Sequence, residues 1–248
     1  MGLTLIRKLE NFTPLNAEEK RALVDAAGRT RKLAAGESII HENDPAGGVN
    51  LVQDGLACRY KILPDGRRSI LGFFVPGDLC DLRVFILESM DHSIGALTPT
   101  TVATLPREAV LDILERFPRL TRALWWSTLV EEAITREWVV NIGQRTALER
   151  LAHLFCELFY RLGAVGLTDG GVFELPLTQA ELADSLGLST VHVNRTLQEL
   201  RRSGLLTLRG RHVEILNLEA LEAAAMFNPN YLHLQDEDRP DLRGRERS

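Results

Sequence analysis

The stretch from Leu177 to Leu208, LTQAELADSLGLSTVHVNRTLQELRRSGLLTL, admits few folds. Thr178 stands three residues before Glu181, so its hydroxyl oxygen can accept from the amide of 181 while the glutamate accepts from the amide of 178; a helix starts there. Leu182, Ala183 and Leu186 fall on one face, and Gly187 supplies the left-handed residue that ends a helix without a Cβ penalty. Ser189 caps a second helix, 189–203, whose Val193, Leu197 and Leu200 recur at helical spacing until Gly204 stops it before an apolar LLTL strand. Two short helices joined by a tight turn are a helix-turn-helix signal.

Outside that core stripe, Thr190, Val191, Asn194, Arg195 and Gln198 share one face of the second helix. Arginine can bind guanine bidentately, asparagine and glutamine can do the same to adenine, and valine or a threonine methyl can pack on a thymine methyl. A three-helix packing unit whose polar face merely meets water is the rival reading. The coincidence of caps, turn glycine and following hairpin favours DNA reading over it. In that hairpin, segments Leu205–Leu208 and Val213–Leu216 flank Arg209-Gly210-Arg211-His212, a wing that can lie over backbone phosphate. The candidate DNA-contacting set is therefore Thr178, Gln179, Ser189, Thr190, Val191, His192, Asn194, Arg195, Gln198, Arg209 and Arg211.

Charge supports that placement locally rather than globally. The chain's net charge of −5 argues against a surface that coats nucleic acid wholesale. Between 189 and 215, however, Arg195, Arg201, Arg202, Arg209 and Arg211 face only Glu199 and Glu214, a local excess of positive charge where phosphate would lie. With 248 residues the chain is long enough for two domains, each with its own core. No apolar run approaches the ~20 residues of a membrane span, the N-terminus MGLTLIRKLENF lacks the features of a secretory signal, and three scattered cysteines do not form a disulfide framework. A cytoplasmic protein without membrane partners is expected.

Upstream of the helix-turn-helix, the pattern changes twice. Asn16 with Glu19 is a capping box for a short helix carrying Leu23, Val24 and Ala27. From Arg31 to Leu105, β-prone segments Ser38–His41, Val49–Gln53, Ala57–Leu63, Ser69–Val75 and Thr101–Leu105 alternate with turns, with Gly55, Gly66 and Gly77 eleven residues apart. Short strands at regular spacing predict a small antiparallel roll, since a parallel sheet would need intervening helices. Helical spacing returns with Val110, Ile113 and Leu114, and a longer helix runs from 118 to about 142. Its Leu120, Leu124, Ser127, Val130 or Glu131, Ile134, Trp138 and Asn141 approximate the 3-4 spacing of a seam between two copies. Trp125, Trp126 and Trp138 read as packing residues. Thr146 with Glu149 opens a further helix through Leu151, Leu154, Phe155, Leu158 and Leu162, followed by a glycine-rich connector, 163–171, and a short strand, Val172–Leu175.

This order of parts resembles the Crp/Fnr family of bacterial transcription regulators, named for the cyclic-AMP receptor protein and the fumarate-nitrate regulator. The resemblance spans roughly residues 12–220, and LTQAELADSLGLSTVHVNRTLQELRRSGLL is its most specific part. It implies a homodimer, double-stranded DNA as ligand and RNA polymerase as a further partner. In the family the recognition helix carries a glutamate and, four residues on, an arginine that read bases; the matching positions here hold Val191 and Arg195.

The resemblance also sets expectations for the sensor. Cyclic-nucleotide-binding members place a Gly-Glu pair and then an Arg-Ser pair in the pocket, for the ribose hydroxyl and the cyclic phosphate. Asp81-Leu82 and His92-Ser93 stand there in this chain, and the family's adenine-contacting Thr-Ser pair falls at Thr135-Arg136. Both charged anchors are missing, so cyclic-AMP dependence in the familiar mode is not expected. The candidate effector pocket comprises Leu79, Cys80, Asp81, Leu82, Arg83, His92, Ser93, Thr135 and Arg136, with no cofactor required and the effector unknown. An iron–sulfur cluster of the fumarate-nitrate type needs four cysteines, which Cys58, Cys80 and Cys156 do not supply. Haem on His92 or His41, and a redox role for Cys80, are weaker readings, because lone residues of these types are more often structural.

The expected architecture is thus α+β: a cupin-like antiparallel β-roll of the cyclic-nucleotide-binding type with flanking helices (1–117), a long dimerisation helix (118–143), a winged helix-turn-helix (144–228) and a disordered tail (229–248). Catalytic and metal-binding residues are not expected. One rival function is a small-molecule-binding regulatory subunit that uses the C-terminal domain for protein contacts. Another is a cupin-like enzyme, for which His41 and His92 lie too far apart in sequence to suggest a metal set.

Overall fold

The computed structural model describes residues 3–45, 47–82, 86–87, 89–235, 240 and 242. It divides into two compact units, Met1–Glu132 and Ala133–Ser248.

In the first unit, α1 (Leu3–Glu10) and α2 (Ala17–Ala26) precede the roll. The Asn16–Glu19 capping box starts α2, with Asn16 Oδ1 accepting from the Glu19 amide at 2.9 Å and Glu19 Oε2 from the Asn16 amide at 2.8 Å. The roll strands are β1 (Thr30–Leu33), β2 (Ser38–Ile40), β3 (Gly48–Asp54), β4 (Ala57–Ile62), β5 (Arg68–Phe74), β6 (Leu79–Cys80), β7 (Ser93–Ala96) and β8 (Thr100–Pro106). They pair antiparallel in two four-stranded sheets, β1-β8-β3-β6 and β2-β7-β4-β5. Gly55 closes the β3–β4 turn at φ +81°, and a Cβ there would stand 2.4 Å from the Pro99 carbonyl oxygen, so both backbone and space require glycine. Leu5 and Leu9 of α1, Leu51, Leu79 and Val102 of the first sheet, Phe74 and Ile94 of the second, and Val110 and Ile113 of α3 (Arg107–Arg116) make one apolar core.

Helix α4 (Pro118–Gln144) follows, and its phase differs from the expected one. The stripe expected at a dimer seam turns inward: Leu120, Leu124, Ser127, Val130, Trp138 and Asn141 are buried against the chain itself, and Ile134 and Glu131 are partly so. The opposite face exposes Trp125 by 66%, Leu129 by 50% and Val139 by 68%. Trp125 is therefore a surface residue, whereas Trp138 packs as expected and Trp126 stacks on Phe12 with ring centroids 5.8 Å apart.

The second unit is built around α5 (Ala147–Ala164), which the Thr146–Glu149 capping box starts and which is buried on nearly every side from Leu151 to Ala164. Phe155 and Phe159 of α5 and Phe173 of β10 (Val172–Glu174) are among its largest fully buried side chains. Around it stand β9 (Thr168–Asp169), α6 (Gln179–Leu186), α7 (Thr190–Arg202), β11 (Leu206–Arg209), β12 (His212–Ile215) and α8 (Leu218–Ala225), the strands forming one sheet in the order β11-β12-β10-β9. The hairpin strands sit one residue away from their expected limits. Leu205 leaves the strand because its amide closes on Leu200 O at 3.2 Å and its carbonyl accepts from Leu216 at 2.9 Å.

The expectation of a disordered tail from residue 229 fails for its first residues. Pro229–Leu232 form a 3-10 turn, and Tyr231 and Leu232 are buried, because their apolar surface finds a partner in α5. Residues 236–239, 241 and 243–248 of that tail lie outside the described residues.

Candidate nucleic-acid interface and sensor pocket

The helix-turn-helix is assembled by local chemistry. Thr178 Oγ1 accepts from the Glu181 amide at 3.2 Å and Glu181 Oε2 accepts from the Thr178 amide at 2.7 Å, which starts α6. Gly187 ends it at φ +64°, donating its amide to Ala183 O. Two residues later Ser189 Oγ accepts from the His192 amide at 3.2 Å and starts α7. Val193, Thr196, Leu197 and Leu200 are buried and fix the rotation of α7 about its axis. Thr196 was absent from the expected stripe; it is tolerated inside because its hydroxyl donates to His192 O at 2.9 Å.

With that face inward, Thr190, Val191, Asn194, Arg195 and Gln198 are exposed, Val191 by 79%, as are Thr178, Gln179 and Ser189 at the helix starts; His192 is half-buried. An exposed valine flanked by bidentate donors is a poor surface for water alone and a suitable one for a base edge. On the wing, β11 and β12 pair Arg209 with His212 across a two-residue turn, Gly210-Arg211, and both arginines are exposed. Arg211 Nε lies 3.1 Å from Glu174 Oε1 of the neighbouring strand, a pairing that the sequence did not suggest. A second unanticipated residue is Arg150 of α5, which donates to Arg145 O at 2.8 Å and to Leu186 O at 3.0 Å, holding the end of α6 beside the turn. No local motif marks it.

The sensor residues lie where β4, β6 and β7 meet. Leu79, Cys80, Asp81, Leu82, His92 and Ser93 are all buried. Arg83 lies outside the described residues, and Thr135 and Arg136 are exposed positions of α4. Asp81 holds a left-handed backbone, φ +52°, at the position that the resemblance assigns to glycine; aspartate is one of the few residues that tolerate it. Arg59 of β4, unremarked in the sequence, closes the arrangement. Its Nη2 donates to Asp81 Oδ1 at 2.8 Å, its Nε lies 3.0 Å from His92 Nε2, its guanidinium sits 5.0 Å over the Phe74 ring, and Glu131 Oε2 is 3.7 Å away. His92 Nε2 also lies 2.7 Å from Asp81 Oδ2, and its Nδ1 pairs with Asp91 at 2.5 Å. Ser93 Oγ accepts from the Glu42 amide at 2.9 Å.

Burial favours the neutral forms of Cys80 and Glu131. It pushes the Cys80 thiol well up, with the Asp81 charge adding to the effect, so Cys80 is held as a thiol and not as a reactive thiolate. Burial likewise raises the Glu131 carboxyl against the pull of Lys8 and Arg59. Among the described residues no cluster of three or more His, Cys, Asp or Glu side chains could hold a metal ion, and no helix is long and apolar enough to cross a membrane.

Two family profiles match the chain: the Crp-like helix-turn-helix domain over residues 149–224 and the cyclic nucleotide-binding domain over residues 30–117. The chain is similar to a probable transcriptional activator of Rhizobium leguminosarum bv. viciae, 32% identical over 77% of this chain and 79% of the relative. The nitrogen fixation regulation protein FixK of Bradyrhizobium diazoefficiens is 30% identical over 89% of this chain and 91% of its own length. Among solved structures, FixK2 from Bradyrhizobium japonicum superposes with a TM-score of 0.72 at 29% identity, covering 79% of this chain and 96% of that one.

Proposed function

We propose, on the premise that this chain belongs to the Crp/Fnr family of DNA-binding transcription regulators, that it acts as a homodimer laying two copies of α7 on the half-sites of a pseudo-palindromic operator. The observation that carries the reading is the split of α7 into a buried Val193-Leu197-Leu200 stripe and an exposed Thr190-Val191-Asn194-Arg195-Gln198 face. Arg195 reads a guanine edge, Asn194 and Gln198 reach adenines, and Val191 packs on a thymine methyl. Thr178, Gln179, Ser189 and His192 border that face. Arg209 and Arg211 lie along phosphate, fixing orientation without reading sequence.

The proposed seam is the exposed face of α4. Trp125, Leu129, Glu132, Arg136, Val139 and Gly143 follow one another at intervals of four and three residues and are all exposed. That is the spacing of a two-helix interface. Two-fold symmetry then sets the recognition helices about 34 Å apart, one turn of B-DNA. In this division of labour residues 1–117 sense, 118–143 pair the copies and 144–228 bind DNA. RNA polymerase is the proposed further partner and the cytoplasm the proposed location.

The proposed regulator needs neither cofactor nor cyclic AMP, and it performs no catalysis; the effector is unknown. Asp81 already pairs with Arg59, the buried cation beside His92, at 2.8 Å. The rival use of the C-terminal domain for protein contacts gives no role to the exposed Arg195 beside Val191 and Asn194. Selection from random duplexes tests the proposal. A two-fold-symmetric site should be bound at least ~10³-fold tighter than random DNA, with log affinity falling linearly in log salt. Failure to enrich any site over random duplex would overturn it.

A further inference from the structure

The corner between α4 and α5 is held by a segment that lies beyond the helix-turn-helix match, which ends at residue 224. Arg145, between the two helices, is buried to 9% exposure. Its Nε donates to Ala225 O at 3.2 Å and its Nη2 to Met226 O at 3.4 Å, so the guanidinium caps the C-terminal carbonyls of α8. The same Nη2 donates to Glu137 Oε1 of α4 at 2.6 Å. Met226 adopts φ +47° while its side chain stays 61% exposed, so it is the turn, not the burial of that side chain, that leads the chain back. A left-handed methionine is strained, and the contacts beyond it offset that strain.

Those contacts converge on Glu157 of α5, which has no solvent exposure. Tyr231 donates its hydroxyl to Glu157 Oε2 at 3.1 Å, Trp138 of α4 donates its indole N–H at 3.1 Å, and Arg161 of α5 donates at 3.1 Å to Oε1. The carboxylate thus joins the end of α4, the middle of α5 and the C-terminal segment. Around it, Phe227 lies 5.1 Å from the His153 ring and 5.3 Å from Tyr160, whose hydroxyl donates to Glu222 Oε1 of α8 at 2.6 Å.

We propose that residues 225–232 are a clasp that fixes the angle between the pairing helix and the DNA-reading unit, with Arg145 and Glu157 as its positioning residues for operator recognition. The inference rests on the reading above, in which copies pair along α4. In such a dimer the α4–α5 corner is a lever: a small rotation there moves α7 against its half-site by more than the reach of a hydrogen bond. A fixed corner makes the protein selective for the spacing of half-sites, and a loose corner relaxes that selectivity without altering what each α7 reads.

The test uses the full chain and the operator obtained by selection. Wild type, Tyr231→Phe, Arg145→Ala and Glu157→Gln are titrated against four duplexes: the operator, the operator with its spacer shortened or lengthened by one base pair, and an isolated half-site. Tyr231→Phe and Arg145→Ala should keep half-site affinity, lose about fivefold on the operator, the size of one hydrogen bond, and lose less on the altered spacers. Glu157→Gln, whose amide oxygen still accepts from Trp138 and Tyr231 while its NH2 loses the Arg161 contact, should relax the spacing preference less than Arg145→Ala does. Should Arg145→Ala fail to fold, Tyr231→Phe decides, since it removes one hydroxyl and leaves the ring. An unchanged spacing profile, or an equal loss on operator and half-site, would overturn the clasp. A wild type that prefers no site would instead overturn the reading on which it rests.

Discussion

Asp81 Oδ2 stands 2.7 Å from His92 Nε2, and the other oxygen of the same carboxylate accepts from Arg59 at 2.8 Å. A buried carboxylate between a guanidinium and an imidazole is already satisfied, and a second anion brought to Arg59 would have to displace it or sit beside it. Leu82, buried next to Asp81, offers a ribose hydroxyl no partner of its own side chain.

Cyclic AMP is therefore expected to bind poorly. Losing two charge-assisted contacts, each worth roughly 1.5–3 kcal/mol, weakens binding by at least ~10²-fold. Cyclic AMP titrated to about 100 μM should change neither operator affinity nor melting temperature, which ligand binding would raise by mass action. A micromolar dissociation constant by calorimetry would show that Arg59, Arg83 or Arg136 takes the phosphate.

The phase of α4 makes the dimer testable by one exposed residue. Leu129 is 50% exposed, so Leu129→Glu should leave the melting temperature near that of wild type while placing two like charges in the seam. Sedimentation should then report a monomer or a weakened dimer. Ile134→Glu instead places a charge at a partly buried position and should lower stability first. A Leu129→Glu protein that sediments as wild type would move the seam to another surface.

His153 should make stability pH-dependent. Burial, and next the Arg145 charge, hold its imidazole at about 3, far below the ordinary 6.5. The ring stays neutral in the fold but takes up a proton on unfolding below pH 6.5, so its contribution is whole above that pH and is lost as pH falls towards about 3. Between pH 7.5 and 5 the loss is about 2 kcal/mol. Glu157, whose carboxyl burial pushes up, acts with the opposite sign, so the comparison is with a variant. Chemical denaturation of His153→Gln should show the pH 7.5-to-5 difference shifted by about 2 kcal/mol relative to wild type; equal differences would mean that the ring is protonated in the fold.

What the sequence disclosed follows the range of the forces involved. The capping boxes at Asn16–Glu19, Thr146–Glu149 and Thr178–Glu181 were legible because each is a contact across three residues. The strand Ser93–Ala96 was not, since all four of its residues are buried and no alternation marks it, and Leu79–Cys80 is too short to show a pattern. The α4 seam was misread because that helix carries two stripes at similar spacing, and only packing decides which one turns inward. Arg59 was missed because its partners Asp81 and His92 stand 22 and 33 residues away and meet it only once the roll has folded. Residues 229–232 read as tail because the surface that buries Tyr231 belongs to α5, far earlier in the chain.

The central claim is that α7 reads bases through its exposed face, and the most direct measurement is the affinity of wild type and Arg195→Ala for the selected operator and for random duplex, at one salt concentration. Arg195→Ala should lose about 1–3 kcal/mol on the operator and almost nothing on random DNA, because a guanine edge is present at a fixed place in only one of them. An equal loss on both duplexes would assign Arg195 to phosphate and contradict base reading by this helix.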